Sequence, residues 1–263
     1  MLSDNITRDE QNTLHFAERS VTALAEKYGT PLYLMDEERI RHNMRMYVRA
    51  FAENFAPGSL PLFASKAASF KAVYRIAEDE GMGVDCVSCG EIATALAADF
   101  PAEKIYFHGN CKTDADILYA VERNVGCFVV DNAEELLALE RIAGERDKRQ
   151  RVLLRLSPGI DPHTYAEVNT GMVDSKFGAA VETGQAMELV KLALRQPQRG
   201  GSACPQPEFL RSLPDGKRLR LRLFPEIPGQ KLRSRKEAVN RHVHHLFVPF
   251  YGRERRNMSA RPL

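Results

Sequence analysis

The fold is decided by residues 60–66, Leu60-Pro61-Leu62-Phe63-Ala64-Ser65-Lys66, a short apolar run that ends on a lysine. This run predicts a β-strand, and the stretch from about Ser69 to Glu80 predicts the helix that follows it. The alternation continues, with further strands predicted at 31–36, 83–88, 104–108, 127–131 and 151–156. Because these runs are continuously apolar rather than alternating, they are typical of a parallel sheet whose two faces are both covered.

Helices are predicted between the strands: up to Phe55, from Gly90 to Asp99, from about Thr113 to Asn124 and through Ala143. Repeated strand-then-helix units with short loops indicate an α/β fold, either a barrel or a doubly wound sheet. Polar residues collect where the predicted strands end, at Lys66, Asp85, Ser88, His108, Asn110, Asp131, Asn132 and Ser157. In a (β/α)₈ barrel, that rim carries the chemistry.

Lys66 is the strand-end residue with the clearest chemical use. Its neighbours are small, in Ala64-Ser65-Lys66-Ala67-Ala68, and we expect its amine to project into a largely apolar site. Desolvation lowers the pKa of a lysine and frees the amine to form a Schiff base. On position alone, a solvated strand-end lysine is the more common case.

The composition is that of an ordinary globular protein, with 263 residues, of which 44% are hydrophobic and 27% charged. No apolar run approaches the roughly 20 residues that span a bilayer, and the first residues lack the basic and apolar regions of a secretory signal. Five irregularly spaced cysteines argue against a disulfide framework and for a reducing compartment. We therefore predict a cytoplasmic protein without a membrane partner.

A change of composition divides the chain near residue 198. The net charge is +2, yet residues 199–263 hold 15 Lys and Arg against 5 Asp and Glu, together with 7 of the 14 prolines. Apolar residues there follow no sustained helical or strand period. We predict a strand and helix lead-in at 1–30, a partial barrel at 31–198, and an irregular, basic, proline-rich tail at 199–263 that is disordered or out of frame.

Two groups of potential metal or redox ligands have simpler explanations. Cys86 and Cys89 form a Cys-x-x-Cys pair, but no second pair stands at zinc spacing, and no helix start places the first cysteine as in redox sites. His242, His244 and His245 have no carboxylate or cysteine at ligand spacing nearby. We therefore predict no metal site.

Five blocks of sequence stand in order along the chain: FASKAA at 63–68, GVDCVSCGE at 83–91, FHGNCKT at 107–113, LLRLSPG at 153–159 and TGMVDSKFG at 170–178. Together they resemble the diaminopimelate decarboxylases, a group of the alanine-racemase-like (fold type III) pyridoxal-phosphate enzymes. The sequence departs from that pattern at Ala68 and Cys111, where asparagine is common, and at Cys89, where glycine is usual. Ornithine and arginine-type relatives fit less well, because the His-Gly-Asn and Asp-Ser-Lys-Phe-Gly forms favour the diaminopimelate group.

The resemblance implies an incomplete (β/α)₈ TIM-type barrel that binds pyridoxal 5'-phosphate and belongs to an enzyme converting meso-2,6-diaminopimelate to L-lysine. It implies that Lys66 holds the cofactor as a Schiff base and exchanges it for the substrate amine. Asp85 and Arg155 would lie near that amine and the cofactor ring, with His108 on the same rim. Two structural alternatives stay open: Asp85 as a turn or helix-start residue, and Arg155 as the partner of a strand-end carboxylate.

Motifs that the resemblance places after residue 198 are absent from the sequence: His-x-Gly-Ser, a Gly-rich phosphate loop and Glu-Pro-Gly-Arg. With the charge break, this indicates a truncation or frameshift near residue 199, which sequencing the gene would test. Six strands cannot close an eight-stranded barrel, so we expect open sheet edges. We also expect no sheet partner for Leu14-His15-Phe16, and little or no decarboxylase activity in this chain.

Two other functions stay open. The basic tail would suit a non-catalytic binding module that contacts polyanions, although it lacks regularly spaced aromatic residues and a helix with clustered basic residues, so we do not expect nucleic acid as a partner. A cofactor-carrying homeostasis protein of the same barrel type is the other possibility, but that group closes its barrel within a shorter domain. The resemblance implies a small amino-acid substrate and a homodimer, whereas the incomplete barrel argues against dimerisation of this chain.

Overall fold

The structure, a computed structural model, describes residues 4–56, 58–157, 159 and 177–195. The predicted tail with its histidines, and most of the block at 170–178, lie outside the described residues. The strands are β1 (Ile6–Arg8), β2 (Leu14–Phe16), β3 (Arg19–Ser20), β4 (Leu62–Ala64), β5 (Gly83–Cys86), β6 (Ile105–Phe107), β7 (Cys127–Val130), β8 (Arg151–Leu154), β9 (Leu156–Ser157) and β10 (Ala179–Ala180). The α-helices are α1 (Val21–Tyr28), α2 (Glu37–Asn54), α3 (Lys71–Asp79), α4 (Cys89–Leu96), α5 (Asp114–Glu122), α6 (Ala133–Glu145) and α7 (Gln185–Arg195).

Five strands form a parallel sheet in the order β4-β5-β6-β7-β8, which is also their order along the chain. Helices α3 to α6 connect successive strands, one helix to each connection. A doubly wound sheet reverses its strand order, whereas a barrel wall keeps it. The predicted α/β fold with a parallel sheet is therefore confirmed. The strand order favours a barrel over a doubly wound sheet. The short strands β9 and β10 form a further parallel pair.

The hydrophobic core lies between this sheet and helices α3 to α6. All four residues of β7 are buried, as its continuous apolar run predicts. Phe107 on β6 and Phe128 on β7 meet edge to face, with ring centroids 5.5 Å apart and planes inclined by 61°. This is a preferred geometry for aromatic pairs, and it adds a side-chain contact between two neighbouring strands of the sheet.

Several polar residues at the strand ends serve as helix caps. The Ser88 side chain accepts from the backbone N–H of Glu91 at the start of α4, and Asn132 accepts from that of Glu135 at the start of α6. Thr113 forms a reciprocal capping box with Asp116 on α5. Such caps typically contribute ~1 kcal/mol each. Ser88 and Asn132 are thus explained by helix initiation.

The strand predicted at 31–36 is wrong. These residues connect α1 to α2 without strand structure, and Tyr33 is 96% exposed. The physical reason is that a strand needs a hydrogen-bonding neighbour, and none of the described strands pairs with this segment. Asp36 instead caps α2 by accepting from the backbone N–H of Arg39.

The expectation that Leu14-His15-Phe16 lacks a sheet partner is also wrong. Strand β2 pairs antiparallel with β1 and β3, so residues 6–20 form their own three-stranded sheet. Asn5 ties this sheet to α2, because its side-chain amide donates to Asp36 Oδ2 at 2.9 Å. Within the described ranges, no helix combines the length and apolar character needed to cross a membrane.

Candidate functional site

Lys66 lies just beyond the carboxyl end of β4, in a single 3₁₀ turn at Ser65–Ala67. The residue is exposed, and none of the described residues forms a hydrogen bond or ion pair with its amine. The apolar surroundings expected for this lysine are not formed by the described part of the chain, since its strands build only one side of a rim. The Lys66 amine is therefore available for reaction.

The turn that carries Lys66 is anchored from below by Ser65 and Glu91. Ser65 is fully buried, and its hydroxyl lies 2.5 Å from Glu91 Oε2 and 2.9 Å from the Asp85 carbonyl oxygen. The same Glu91 oxygen accepts from the backbone N–H of Val87 at 2.7 Å. Glu91 thus ties the end of β4 to the loop after β5. Sequence reasoning quoted Glu91 but gave it no role; the available signal was a carboxylate in the first turn of a helix that follows a strand end.

Asp85 and His108 come together on the next two strands. Asp85 stands opposite Ala64 in the β4–β5 register, and its Oδ2 lies 3.5 Å from His108 Nδ1. Both side chains are largely buried, with 26% of Asp85 and 18% of His108 exposed. Asp85 Oδ1 is buried and accepts no hydrogen bond within the described part of the chain. A buried acceptor without a donor is costly, so this oxygen marks a position where a donor on a ligand would fit.

Arg155 lies away from that pair, at the end of β8. Its guanidinium donates to Asp131 Oδ1 at 3.1 Å and stacks over the Phe177 ring at 4.4 Å. The Asp131 side chain is only 2% exposed. Within the described residues, Arg155 forms no ion pair with Asp85. In the structure, Arg155 therefore pairs with a strand-end carboxylate, which is the alternative that the sequence left open.

A second buried ion pair lies beside Asp131 and was missed by sequence reasoning. The Lys112 amine lies 2.8 Å from Glu135 Oε1, and the two side chains are 2% and 4% exposed. Lys112 also donates to the carbonyl oxygens of Gly109 and Val129, and Glu135 Oε2 accepts from the Asp131 backbone N–H. Burial raises the pKa of Glu135, and the pairing with Lys112 opposes that rise. The pair fixes the loop after His108 and the end of β7.

Cys86 and Cys89 lie close to this rim but are poor ligands and poor nucleophiles. Burial raises the pKa of each thiol to about 12. The thiolate is the form that reacts and binds metals. The geometry therefore disfavours a redox or metal role for the Cys-x-x-Cys pair.

Comparison with known families relates this chain to pyridoxal-dependent enzymes. The sequence model of the family described as "Pyridoxal-dependent decarboxylase, pyridoxal binding domain" matches residues 38–198. A curated diaminopimelate decarboxylase from Bacillus methanolicus is 42% identical over 186 residues, covering 71% of this chain and 43% of the relative. The diaminopimelate decarboxylase of Bacillus subtilis is 43% identical over 172 residues, covering 65% and 39%.

Solved structures give the same result. The crystal structure of diaminopimelate decarboxylase from M. jannaschii superposes with a TM-score of 0.65 at 34% identity, covering 73% of this chain and 45% of that one. The Helicobacter pylori enzyme complexed with L-lysine gives 0.61 at 32% identity, covering 66% and 43%. The chain thus spans less than half the length of these relatives. Since the family match takes in more than half of the chain and all five strands β4 to β8, the chain belongs to the pyridoxal-dependent decarboxylase family, through that family's pyridoxal-binding domain.

Proposed function

We propose that residues 31–198 form the pyridoxal 5'-phosphate-binding part of an amino-acid decarboxylase that converts meso-2,6-diaminopimelate to L-lysine. The observation that carries the proposal is the amine of Lys66 at the end of β4, which forms no hydrogen bond or ion pair with the described residues and lies next to the strand that bears Asp85. The substrate follows from the relatives, which are named diaminopimelate decarboxylases and include one complexed with L-lysine.

The residues at this rim fit pyridoxal phosphate. The cofactor carries an aldehyde, and the Lys66 amine has no competing partner among the described residues. Asp85 Oδ1 is a buried acceptor that lacks a donor within the same residues, so it suits a protonated group on a ligand. Lys66, Asp85 and His108 would hold the cofactor, and Arg155, already paired with Asp131, would add positive charge further along the rim.

The chain's own residues have distinct tasks. When bound, pyridoxal phosphate supplies an aldehyde that reacts with amines and a ring that takes up the electron pair left when carbon dioxide departs. Lys66 would supply the amine that holds the aldehyde until the substrate amine takes its place. Asp85 places a carboxylate on the strand beside Lys66, and its contact with His108 Nδ1 orients the imidazole ring.

A chimera tests the activity. Residues 1–198 would be fused to the part of the Bacillus subtilis relative that this chain does not span, and lysine formation from diaminopimelate would be measured with added pyridoxal phosphate. We expect lysine formation from the chimera and its loss in the Lys66→Ala variant, because Lys66 is the lysine that the described residues place at the carboxyl end of β4.

Two outcomes would oppose the proposal. A folded chimera whose Lys66→Ala variant forms lysine at the same rate would remove Lys66 from the reaction. Decarboxylation of ornithine or arginine in place of diaminopimelate would agree with the proposed reaction class and contradict the proposed substrate.

A further inference from the structure

The side chain of Tyr74 lies beneath the Lys66 turn and has no part in the chemistry described above. Tyr74, on α3, is fully buried, and its ring meets Phe100 edge to face at 6.4 Å. Its hydroxyl oxygen lies 2.8 Å from Ser69 Oγ, so one hydroxyl donates to the other. Burial raises the pKa of Tyr74, while hydrogen bonds to Ser69 and Ser65 oppose the rise. A buried tyrosine hydroxyl needs polar partners, and here those partners flank Lys66.

The turn from Ser65 to Ser69 is therefore held at both ends. On the side before Lys66, the Ser65 hydroxyl contacts Glu91 and the Asp85 carbonyl oxygen. The Ala68 backbone N–H donates to the Ser65 carbonyl oxygen at 3.1 Å and closes the turn. On the side after Lys66, the contact between Ser69 and Tyr74 fixes the start of α3 against the core. Between these anchors the Lys66 side chain is exposed.

We propose that Tyr74 is a positioning residue that fixes the turn carrying Lys66, through its hydroxyl contact with Ser69, and so directs the Lys66 amine towards the cofactor aldehyde. This inference rests on the proposed function, since it assumes that pyridoxal phosphate reacts at Lys66. The physical reason is orientational: an amine held in one direction reacts faster than one on a loose turn. Tyr74 acts through the turn and touches no reacting atom.

The test uses the full chain and pyridoxal 5'-phosphate as the probe. Bound cofactor is reduced onto lysines with borohydride, and peptide mass spectrometry gives the ratio of label on Lys66 to label on Lys27, an exposed lysine of α1. We expect Tyr74→Phe to lower this ratio about fivefold, the factor that corresponds to a net hydrogen-bond contribution of ~1 kcal/mol.

Further variants separate the hydroxyl contact from general disturbance. Ser69→Ala should also lower the ratio, and the double variant should lower it no further than Tyr74→Phe alone, because Tyr74→Phe already removes the contact that Ser69 makes. Ser69→Thr keeps a hydroxyl and should keep the ratio. The matched control is Tyr119→Phe, a helix tyrosine on α5 whose ring contacts Arg123; it should leave the ratio unchanged.

The failures of the two proposals are distinguishable. If Lys66 is preferred in the unaltered chain and equally preferred in Tyr74→Phe, the positioning inference is overturned and the proposed function stands. If the unaltered chain shows no preference for Lys66, the proposed function is overturned. In that case, hydrogen exchange of residues 64–70 tests whether Tyr74 fixes the turn, because it needs no cofactor. Faster exchange in Tyr74→Phe supports the inference, and unchanged exchange overturns it. Should Tyr74→Phe fail to fold, Ser69→Ala carries the same readouts.

Discussion

The two sides of the rim differ in how their charges are used. At the ends of β7 and β8, Arg155 pairs with Asp131, and Lys112, from the loop after β6, pairs with Glu135; both carboxylates are almost fully buried. At the end of β4, the Lys66 amine has no partner within the described residues. Both sides belong to one sheet, and they differ in how the side chains at its rim are paired.

This difference teaches which charges build the fold and which are available to a ligand. Buried ion pairs that use all their hydrogen-bonding capacity rigidify a structure. Lys112 is such a group, because its amine donates to three different oxygens and so uses all three of its N–H donors. Asp85, by contrast, keeps one buried oxygen without a donor in the described part of the chain. The closed side, with Arg155, Asp131, Lys112 and Glu135, therefore consists of charges that build the fold, and the open side, with Lys66 and Asp85, of groups that are available to a ligand.

Breaking the ion pair between Lys112 and Glu135 should have the largest effect on stability. We expect Lys112→Met to destabilise the fold by about 3–5 kcal/mol, because it leaves the Glu135 carboxylate buried without its cation. Chemical unfolding followed by circular dichroism measures the change. The matched control is the double variant Lys112→Met with Glu135→Leu, which should recover most of the loss; a double variant as unstable as the single one would contradict the buried-charge explanation.

The pH dependence of Lys112→Met follows from the same pair. Burial raises the pKa of Glu135 above its ordinary value of 4.5, and removing Lys112 removes the opposing attraction. A carboxyl group with a raised pKa in the folded state stabilises the fold below its ordinary pKa and loses that contribution as the pH rises through the raised value. The destabilisation of this variant should therefore be smaller near pH 5 than near pH 8. Unfolding curves of the variant and the unaltered chain measure this at both pH values, and an equal loss of stability at the two would show that Glu135 is not responsible.

Disturbing the packing against Arg155 should destabilise the fold by a smaller amount. Gly178 has a φ of +70°, and a Cβ there would lie 2.9 Å from the Arg155 carbonyl oxygen and 3.1 Å from its Cγ. We expect Gly178→Ala to cost about 1–3 kcal/mol, since it combines an unfavourable backbone conformation with a clash. Gly144→Ala on α6 is the control, because a Cβ there meets nothing within 4 Å and alanine should stabilise the helix by up to ~1 kcal/mol. Equal effects of the two substitutions would argue against close packing at Arg155.

The open side should tolerate change with almost no loss of stability. Lys66→Met should shift the free energy of unfolding by no more than ~0.5 kcal/mol, because the side chain is exposed and has no partner in the described ranges. Thermal unfolding of this variant beside Lys112→Met compares the two lysines directly. A loss of several kcal/mol in Lys66→Met would show that Lys66 is part of the scaffold.

Much of this fold could be predicted from the sequence, because strands covered on both faces leave continuous apolar runs such as 127–130. The segment 31–36 has the same apolar character but no neighbouring strand among the described residues, and composition does not reveal a pairing partner. Lys66 and His108 could be placed at the rim because each follows a recognisable strand, and Asp85 because it lies near the end of one. The pairing of Lys112 with Glu135 and the contact of Tyr74 with Ser69 depend on how loops and helices close over the sheet, which local sequence does not encode.

The most direct test of the central claim maps where pyridoxal phosphate attaches to the chain. After borohydride reduction and digestion, we predict that the pyridoxyl label lies predominantly on Lys66 and is absent from Lys112, whose amine is buried in its ion pair. Label spread over the exposed lysines without preference for Lys66, or label concentrated elsewhere, would contradict the account.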